Sequence, residues 1–319
     1  MSLIYILKRL GLTILTVICA TFLCFMMVRL SPGDPADLIL QKVFVGMEDY
    51  SGDMESRKAI VERFDLDRPL FMQYGSWLVG AVTGDLGHSF RTGQPVSREM
   101  GLRLGPTFTL SLGAMVISLL MTMVFVGGMQ GRGFLFSRVP WMGKVLDMLI
   151  VASIAVPNFY LALLLILLFS VKLNLLPVSG YGGGAHFVLP VFTLAMTLFG
   201  YTTTILNDAV SNVRQQGFIL TARGKGLTPA KIFRSHLLRN AMVPVIPYIA
   251  LQMGYVLGGV VVVESVFAWP GLGSYLVSSI QTRDIPAIQA CIAFMALAFS
   301  LSNLAADFCI WLLDPRVRL

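Results

Sequence analysis

Charged residues are scarce in this sequence. Lysine, arginine, aspartate and glutamate make up 13% of its 319 residues, whereas soluble domains contain about 25%. Hydrophobic residues make up 56%, and the mean hydropathy is +0.77. So few charges cannot cover a surface that faces water, which excludes a soluble enzyme, a nucleic-acid-binding domain and a disordered scaffold. We therefore attribute the net charge of +7 to membrane topology and expect no nucleic acid as a partner.

Catalytic and metal-binding motifs are absent as well. The sequence contains no Walker A, HExxH, GxSxG or Rossmann motif, so it predicts no catalytic residue in this chain. Its three histidines lie in three separate segments and predict no metal site. Its four cysteines all lie within apolar runs, and we expect small apolar side chains there rather than a disulfide framework.

Six apolar runs are long enough to cross roughly 30 Å of hydrocarbon. The first follows Lys8 and Arg9, as in a signal peptide, but no small-residue cleavage site comes after it, which favours a retained helix. The predicted fold class is therefore all-α, a polytopic membrane protein with six transmembrane helices. The predicted spans are Leu10–Leu30, Thr107–Gly128, Val145–Val171, Phe187–Leu206, Ala241–Val263 and Ala287–Leu313.

Basic residues predict the orientation of these spans. If the N-terminus is cytoplasmic, the cytoplasmic segments contain thirteen basic residues, whereas the two short outer loops contain only Lys172 and Arg283. The short loops then follow the positive-inside rule, which predicts that both termini are cytoplasmic. The outer segment 31–105 has eight basic and eleven acidic residues, but long loops are translocated largely regardless of charge.

The outer segment also divides the predicted domains. Residues 1–30 form a first transmembrane helix, residues 31–105 an extracytoplasmic segment with short helices, and residues 106–319 a core of five transmembrane helices. Within the outer segment, Met54–Phe64 has the pattern of a surface helix. Pro69–Val82 predicts an amphipathic helix near the outer interface, which we expect to cover the rim of the bundle rather than to bind substrate.

Ionisable residues are rare inside the predicted spans. The acidic residues there are Asp147 near the start of the third span, Asp307 late in the sixth and Asp208 just past the fourth. A carrier driven by ions usually needs ionisable residues near the midplane of the membrane. The sequence therefore favours a transporter that takes its energy from another subunit. A self-sufficient channel or secondary carrier is the alternative, and a membrane scaffold without transport activity is a third hypothesis.

The cytoplasmic loop between the fourth and fifth spans, residues 208–240, is long and basic for a connector. Gly224 and Gly226 interrupt it, and Thr228 followed by Pro229 predicts the start of a new helix. Two helices around a glycine turn indicate docking into a groove of a soluble partner, since binding of anionic lipid alone requires no turn. The apolar side chains expected to face protein are Phe218, Ile219, Leu220, Ile232, Phe233, Leu237 and Leu238.

Candidate pathway and packing residues lie in the last two spans. In the fifth span, Gln252 and Tyr255 are predicted on or near a pathway. Gly254 and Gly258 of the same span form a GxxxG motif, which favours close helix approach. In the sixth span, Asn303 and Asp307 lie four positions apart on one helix face, and we expect them to form hydrogen bonds within the bundle.

A turn is predicted after the fifth span. Glu264, Phe267, Trp269, Pro270 and Gly271 end the helix abruptly and return the chain along the outer interface. We expect Glu264 to cap a neighbouring helix, and the alternative is that it receives a basic group of a binding protein.

Short motifs are spread over nearly the whole chain. In the cytoplasmic loop, Leu220-Thr221-Ala222 is followed by Gly226, with Leu220 where an EAA motif has glutamate. The other motifs are Ser31–Pro35, Leu66–Pro69, Gly84–Gly87, Pro157–Phe159, Glu264–Gly273, Arg283–Pro286 and Asp314–Arg316. Together they resemble the binding-protein-dependent ABC importer permeases of the dipeptide, oligopeptide and nickel family, of the type with a long outer loop after the first helix.

The resemblance implies a type I ABC importer permease fold and a subunit without enzymatic activity, located in the cytoplasmic (inner) membrane of a bacterium. The partners it implies are a second homologous permease subunit, two cytoplasmic ATPase subunits that hold ATP and Mg, an extracytoplasmic solute-binding protein and membrane lipids. It also implies that the glycine turn contacts an ATPase. The coupling residues expected on this basis are Leu220, Thr221, Ala222, Arg223, Gly224, Lys225 and Gly226.

The substrate class implied by the resemblance is broad. Peptides, nickel chelates and similar small solutes all fit, because the branches share nearly every motif. Tyr181–Gly184 followed by His186 is somewhat more similar to the nickel-type loop.

Overall fold

The computed structural model describes residues 3–30, 57–58, 61–62, 67–130 and 140–313. In the described ranges the chain is helical apart from short connections and one β-bridge between His88 and Pro95. Five helices are long and apolar enough to cross a membrane, and a bent pair of shorter helices can supply a sixth crossing. The helices are α1 (Leu3–Leu30), α2 (Leu70–Thr83), α3 (Val96–Gln130), α4 (Pro140–Ala155), α5 (Asn158–Lys172), α6 (Gly184–Arg214), α7 (Gly217–Gly224), α8 (Pro229–Val266), α9 (Leu272–Gln281) and α10 (Ile285–Leu313).

Five of the six predicted spans are confirmed as single helices, namely α1, α3, α6, α8 and α10. The third prediction, one helix over Val145–Val171, is wrong. The chain bends by 112° between α4 and α5, where Pro157 follows Val156. Proline has no N–H to donate and disfavours the helical conformation of the residue before it, so the helix ends there although the apolar run continues.

The bent pair joins the two ends of the bundle. Following the predicted orientation, we name the end that holds α7 the inner end and the end that holds α9 the outer end. α4 follows α3, whose last turns pack beside the start of α8 at the inner end. α5 begins halfway along α6, where Thr197 Oγ1 donates to Asn158 Oδ1 at 2.9 Å. The loop after α5 reaches the outer end, where Gly180 N donates to Phe267 O at 2.8 Å. By length and composition the pair can therefore supply the sixth crossing.

Apolar side chains fill the bundle at three levels. The largest cluster lies in the outer half between α3, α5, α6 and α8 and includes Leu110, Leu194 and Val260. A second cluster at the inner end packs α7 against α6 and α8. A third joins the start of α3 to α9 and α10. α7 and α9 are therefore held at opposite ends of one packed body.

The outer helix α2 confirms the helix predicted over Pro69–Val82. It packs on α1 through Tyr74, whose hydroxyl donates to Ile18 O at 3.0 Å and lies 2.9 Å from Thr21 Oγ1. On its opposite side Met72 and Val79 are strongly exposed, as expected for a helix in contact with lipid. Of the helix predicted over Met54–Phe64, only 57–58 and 61–62 are described, and the motifs 31–35 and 314–316 lie outside the described residues.

Candidate coupling helix and polar sites of the bundle

The predicted pair of cytoplasmic helices needs a correction. α6 continues to Arg214, well beyond the predicted end at Leu206, and the second predicted helix is the beginning of α8. Only α7 lies between the two long helices as a separate element. The predicted start at Thr228 is confirmed, because Thr228 Oγ1 accepts a hydrogen bond from Lys231 N at 3.4 Å and Pro229 occupies the first turn.

A tight turn reverses the chain after α7. Lys225 N donates to Thr221 O at 3.0 Å, and Gly226 N donates to Arg223 O at 2.9 Å. Gly226 has φ +73°, a left-handed conformation that residues with a Cβ rarely adopt, whereas Gly224 does not have a positive φ. Of the two glycines, Gly226 is therefore the one that the turn requires.

The two faces of α7 differ in burial. Ile219 and Ala222 are buried against the inner cluster, which includes Val126 and Leu237. Leu220 is 67% exposed although it is one of the most apolar side chains of the helix. The other exposed residues of α7 and its turn are Gly217, Phe218, Thr221, Arg223, Gly224, Lys225 and Gly226.

This pattern divides the predicted coupling residues. Six of the seven are exposed, while Ala222 packs inside its own chain. Of the side chains expected to face protein, Ile219, Ile232 and Leu237 are buried in the inner cluster, and Phe233 and Leu238 pack against it. The second face of α7 therefore combines exposed apolar residues with basic ones and has no cover in the described part of the chain.

Gln252 lies between two spanning helices. It is 3% exposed, its Oε1 accepts from Thr202 Oγ1 at 3.0 Å, and its Nε2 donates to Tyr248 Oη at 3.1 Å. Tyr255, one turn further along α8, is 65% exposed and packs edge-on against Phe299 at 5.6 Å between ring centroids. Gln252 thus fixes the position of Tyr248. Tyr255 instead lies on the exposed side of α8, which we name the open face.

The two glycines of the GxxxG motif have different surroundings. A Cβ at Gly254 would lie 2.8 Å from Phe299 Cδ2, so this glycine permits the close approach of α8 and α10. Gly258 is exposed, and no described atom lies within 4 Å of a Cβ built there. Within the described chain, therefore, Gly254 serves helix packing, whereas Gly258 lies with Tyr255 on the open face and its predicted role in packing or in the pathway stays a prediction.

Asp307 joins the last helix to the first. Its Oδ1 lies 3.0 Å from Arg9 Nη2 of α1, near the inner end of the bundle. Asn303, one turn away on α10, lines the same cleft between α1 and α10, which has a volume of about 180 Å³. Asp307 therefore contacts α1 through an ion pair, where a hydrogen bond within the bundle was predicted.

Glu264 forms the polar centre of the outer end. It is fully buried, Thr107 Oγ1 donates to its Oε1 at 2.6 Å, and Ser274 N donates to its Oε2 at 3.0 Å. Thr107 Oγ1 in turn accepts from Leu272 N at 2.8 Å. The expected capping role is confirmed, because the carboxylate and Thr107 together satisfy N–H groups in the first turn of α9.

Gly271 and Trp269 complete the contact between α3, α8 and α9 around Glu264, which we name the outer joint. A Cβ at Gly271 would overlap the carboxylate of Glu264, so only glycine leaves room for the cap. Trp269 is buried, and its Nε1 donates to Pro106 O of α3 at 3.1 Å. Phe267 is buried as well, whereas Pro270 is exposed. The turn residues predicted after the fifth span therefore converge on α3 and α9.

An aromatic and cationic stack continues the outer joint. The Arg103 guanidinium lies 4.2 Å from the centre of the Tyr275 ring and forms an ion pair with Glu99. Burial, followed by the nearby Asp284 and Glu99 charges, raises the pKa of Tyr275 to about 12. Tyr275 therefore keeps its proton at physiological pH and adds no pH dependence there.

Three residues of these sites were missed by sequence reasoning. Glu264 is hydrogen-bonded by Thr107, and Gln252 is hydrogen-bonded by Thr202 and Tyr248. Threonine within an apolar run is common, because its hydroxyl can bond to its own helix backbone. No signal in the sequence distinguishes these threonines from the others, since their partners lie on different helices.

Comparison with known proteins decides the family. Residues 123–319 match the family described as "Binding-protein-dependent transport system inner membrane component". The chain is 36% identical over 314 residues to the glutathione transport system permease protein GsiC of Escherichia coli (strain K12), and the match covers 98% of both chains. The chain belongs to this family. The GsiC protein of Salmonella typhi matches to the same extent.

As a member of the family, the chain is a multi-pass inner membrane permease subunit of a binding-protein-dependent ABC importer, and it is not itself catalytic. Two solved structures support the permease fold alone. An amino acid ABC transporter described with histidines has a TM-score of 0.51 at 19% identity and covers 69% of this chain and 94% of that chain. The MetNI methionine ABC transporter has a TM-score of 0.50 at 17% identity and covers 69% of this chain and 96% of that chain.

Membership also fixes the general kind of partner. A permease of such an importer works with an ATPase and with a binding protein, and ATP binds to the ATPase. In the described part of this permease, the second face of α7 and the open face of α8 are both exposed.

Proposed function

We propose that this permease imports small peptides or peptide-like solutes such as glutathione, delivered by an extracytoplasmic binding protein. It pairs with a second homologous permease subunit and with two cytoplasmic ATPase subunits, which hold ATP and Mg. Both termini are cytoplasmic, and residues 31–105 form the extracytoplasmic segment. α7 is the element that receives the movement of an ATPase.

The observation that carries this proposal is the divided burial of α7. Ile219 and Ala222 connect the helix to the cores of α6 and α8, so a force on α7 reaches two spanning helices directly. Leu220 and Phe218 offer apolar area to a groove, and Arg223 and Lys225 surround that area with positive charge. An amphipathic helix with one apolar face in its own core and another free to dock suits a mechanical contact.

The open face of α8 supports the pathway. Tyr255, Gly258, Val262 and Ser265 follow one another at intervals of three and four residues and are all exposed. Tyr201 of α6 is exposed as well. Hydroxyl groups at the middle of a span are costly against lipid, which favours contact with a solute path or with the second permease.

Peptide-like solutes are the proposed substrates for two reasons. Tyrosine hydroxyls on this face can donate to and accept from amide groups. The relatives named above are glutathione permeases that match over nearly the whole chain. Nickel chelates, suggested by Tyr181–Gly184 with His186, are the competing substrate, but the His186 ring packs against Gly180 and Gly182.

The experiment is uptake into proteoliposomes that hold the whole complex, with ATP inside and binding protein outside. We expect uptake of labelled glutathione to require both and to survive collapse of proton and sodium gradients. Uptake that continued without ATP and stopped with an ionophore would instead support a secondary carrier. Uptake of a nickel chelate but not of glutathione would contradict the proposed substrate, while the role as an importer permease would stand.

A pair of matched variants tests the role of α7 in the same assay. Leu220→Asp should lower uptake at least about thirtyfold, because a charge at the centre of a docking face removes a hot-spot contact. Leu175→Asp is the control, since Leu175 is also 67% exposed but lies at the outer end after α5. ATPase subunits should co-purify with the control and not with Leu220→Asp. Normal uptake by Leu220→Asp would contradict the proposal.

A further inference from the structure

A cleft of about 280 Å³ opens at the outer end, between α1, α2 and the start of α10. It lies away from α7 and from the open face of α8. Its volume is close to the lower limit of small-molecule pockets, so a headgroup or an ion fits it better than a folded partner. The polar residues that matter in its lining are Arg29, Gln73, Trp77, Asp85, His88 and Gln289.

Two buried donors in this lining have no acceptor among the residues that the structure describes. Gln289 is 3% exposed, and its Nε2 has no hydrogen-bond partner among the described residues. The same holds for Nε1 of Trp77, which can only donate. Buried N–H groups are nearly always paired in folded proteins, because burying an unpaired donor opposes folding. Both groups line one cleft, so a ligand that presents acceptor oxygens would satisfy them together.

The charge of the cleft favours an anion. The Arg29 guanidinium lies 5.5 Å from the centre of the Phe25 ring in the wall of the cleft. The first turn of α10, at Ile285 and Pro286, adds the positive end of a long helix. Asp85 is the acidic side chain among the described lining residues, and its Oδ1 already accepts from Gly87 N at 2.9 Å.

Apolar surface surrounds the cleft. On α1, Met27 and Leu30 are strongly exposed beside Arg29, and on α2, Met72 and Val79 are strongly exposed beside Ser76 of the lining. Such surfaces at the end of a spanning helix face acyl chains. An oxygen-rich anion that is joined to acyl chains is a phospholipid.

We propose that this cleft binds the phosphodiester headgroup of an outer-leaflet phospholipid, with Trp77 Nε1 and Gln289 Nε2 as donors and Arg29 as the charged partner. The leaflet follows the orientation proposed above, whereas the site does not depend on the transported substrate. A bound headgroup would join α2 to the outer ends of α1 and α10.

The test is native mass spectrometry of the delipidated complex that contains the full chain, with lipids added back. We expect one phosphatidylglycerol or phosphatidylethanolamine per copy of this chain to be retained, and diacylglycerol, which has no phosphate, to be lost. The double variant Trp77→Phe with Gln289→Leu should retain this lipid at least about tenfold less, because each lost donor bonded a charged oxygen.

Two further variants and a competing anion distinguish a bound lipid from a free ion. Ser76→Ala lines the same cleft, but its hydroxyl already donates to Met72 O and Gln73 O at 3.0 Å, so retention should not change. Trp77→Phe alone keeps an aromatic ring and serves if the double variant does not fold. Equal retention by wild type and Trp77→Phe would overturn the proposal. Displacement of the lipid by millimolar inorganic phosphate would assign the cleft to a free anion instead.

Discussion

At the outer end of the bundle, Glu264 is buried and its carboxylate accepts hydrogen bonds from Thr107 and Ser274, whereas at the inner end Leu220 is 67% exposed on a short helix. The outer joint fixes α3, α8 and α9 to one another with paired polar groups. The inner helix α7 is fixed on one face only, by Ile219 and Ala222.

The difference separates internal structure from assembly. A buried carboxyl group is tolerated only when its oxygens are hydrogen-bonded. In the outer joint, the partners of Glu264 all belong to this chain. The exposed apolar side chain beside Arg223 and Lys225 has no cover within the described chain, in agreement with the proposed contact with an ATPase. Changes at the outer joint should therefore act on the stability of the chain, and changes on the open face of α7 should act on the complex.

The largest expected effect on stability comes from Glu264→Ala. The change leaves Thr107 Oγ1 and Ser274 N without their acceptor and opens a cavity, which should lower the free energy of unfolding by about 3–5 kcal/mol. The melting temperature of the purified permease in detergent measures it. Glu264→Gln should cost less, because its amide oxygen still accepts one of the two hydrogen bonds. An unchanged melting temperature in Glu264→Ala would show that the joint adds no stability.

Neighbouring positions on α7 provide the second test of the comparison. Ile219→Ala should lower the free energy of unfolding by about 2–3 kcal/mol, because Ile219 is 1% exposed in the inner cluster. Leu220→Ala should leave the stability of the chain unchanged within about 0.5 kcal/mol and weaken binding of the ATPase. Thermal melting of the chain and co-purification of the ATPase give the two readouts. If both variants changed the stability of the chain and the binding of the ATPase to the same extent, the two faces of α7 would not have separate roles.

The sequence predicts the parts that depend on local pattern. Apolar runs locate five single spans, and Thr228 with Pro229 locates the start of α8. Pro69–Val82 predicts α2, and the chain reversal after the fifth span predicts the cap formed by Glu264. In each case the signal lies within one segment, so it needs no knowledge of the neighbours.

Features that depend on neighbours could not be read from the sequence. The apolar run Val145–Val171 hides the 112° bend, because hydropathy averages over Pro157. Gly254 and Gly258 look equivalent in GxxxG, but only Gly254 faces α10. Ala222 belongs to the predicted contact segment and yet is buried, since its burial depends on how α6 and α8 pack around α7. Periodicity gives the faces of a helix, and tertiary contacts decide which face is covered.

A smaller loss of stability than that of Glu264→Ala or Ile219→Ala is expected in the turn after α7. Gly226 has φ +73°, and no described atom lies within 4 Å of a Cβ built there, so Gly226→Ala tests backbone conformation without a steric clash. It should lower the free energy of unfolding by about 1 kcal/mol. Gly224→Ala is the matched control, because Gly224 is equally uncrowded but is the last residue of a regular helix, where alanine should be neutral or stabilising. Uptake should fall with Gly226→Ala and persist with Gly224→Ala, since only the first changes the direction in which α7 leads into α8. If the two variants lowered uptake equally, the left-handed conformation of Gly226 would have no particular role in coupling.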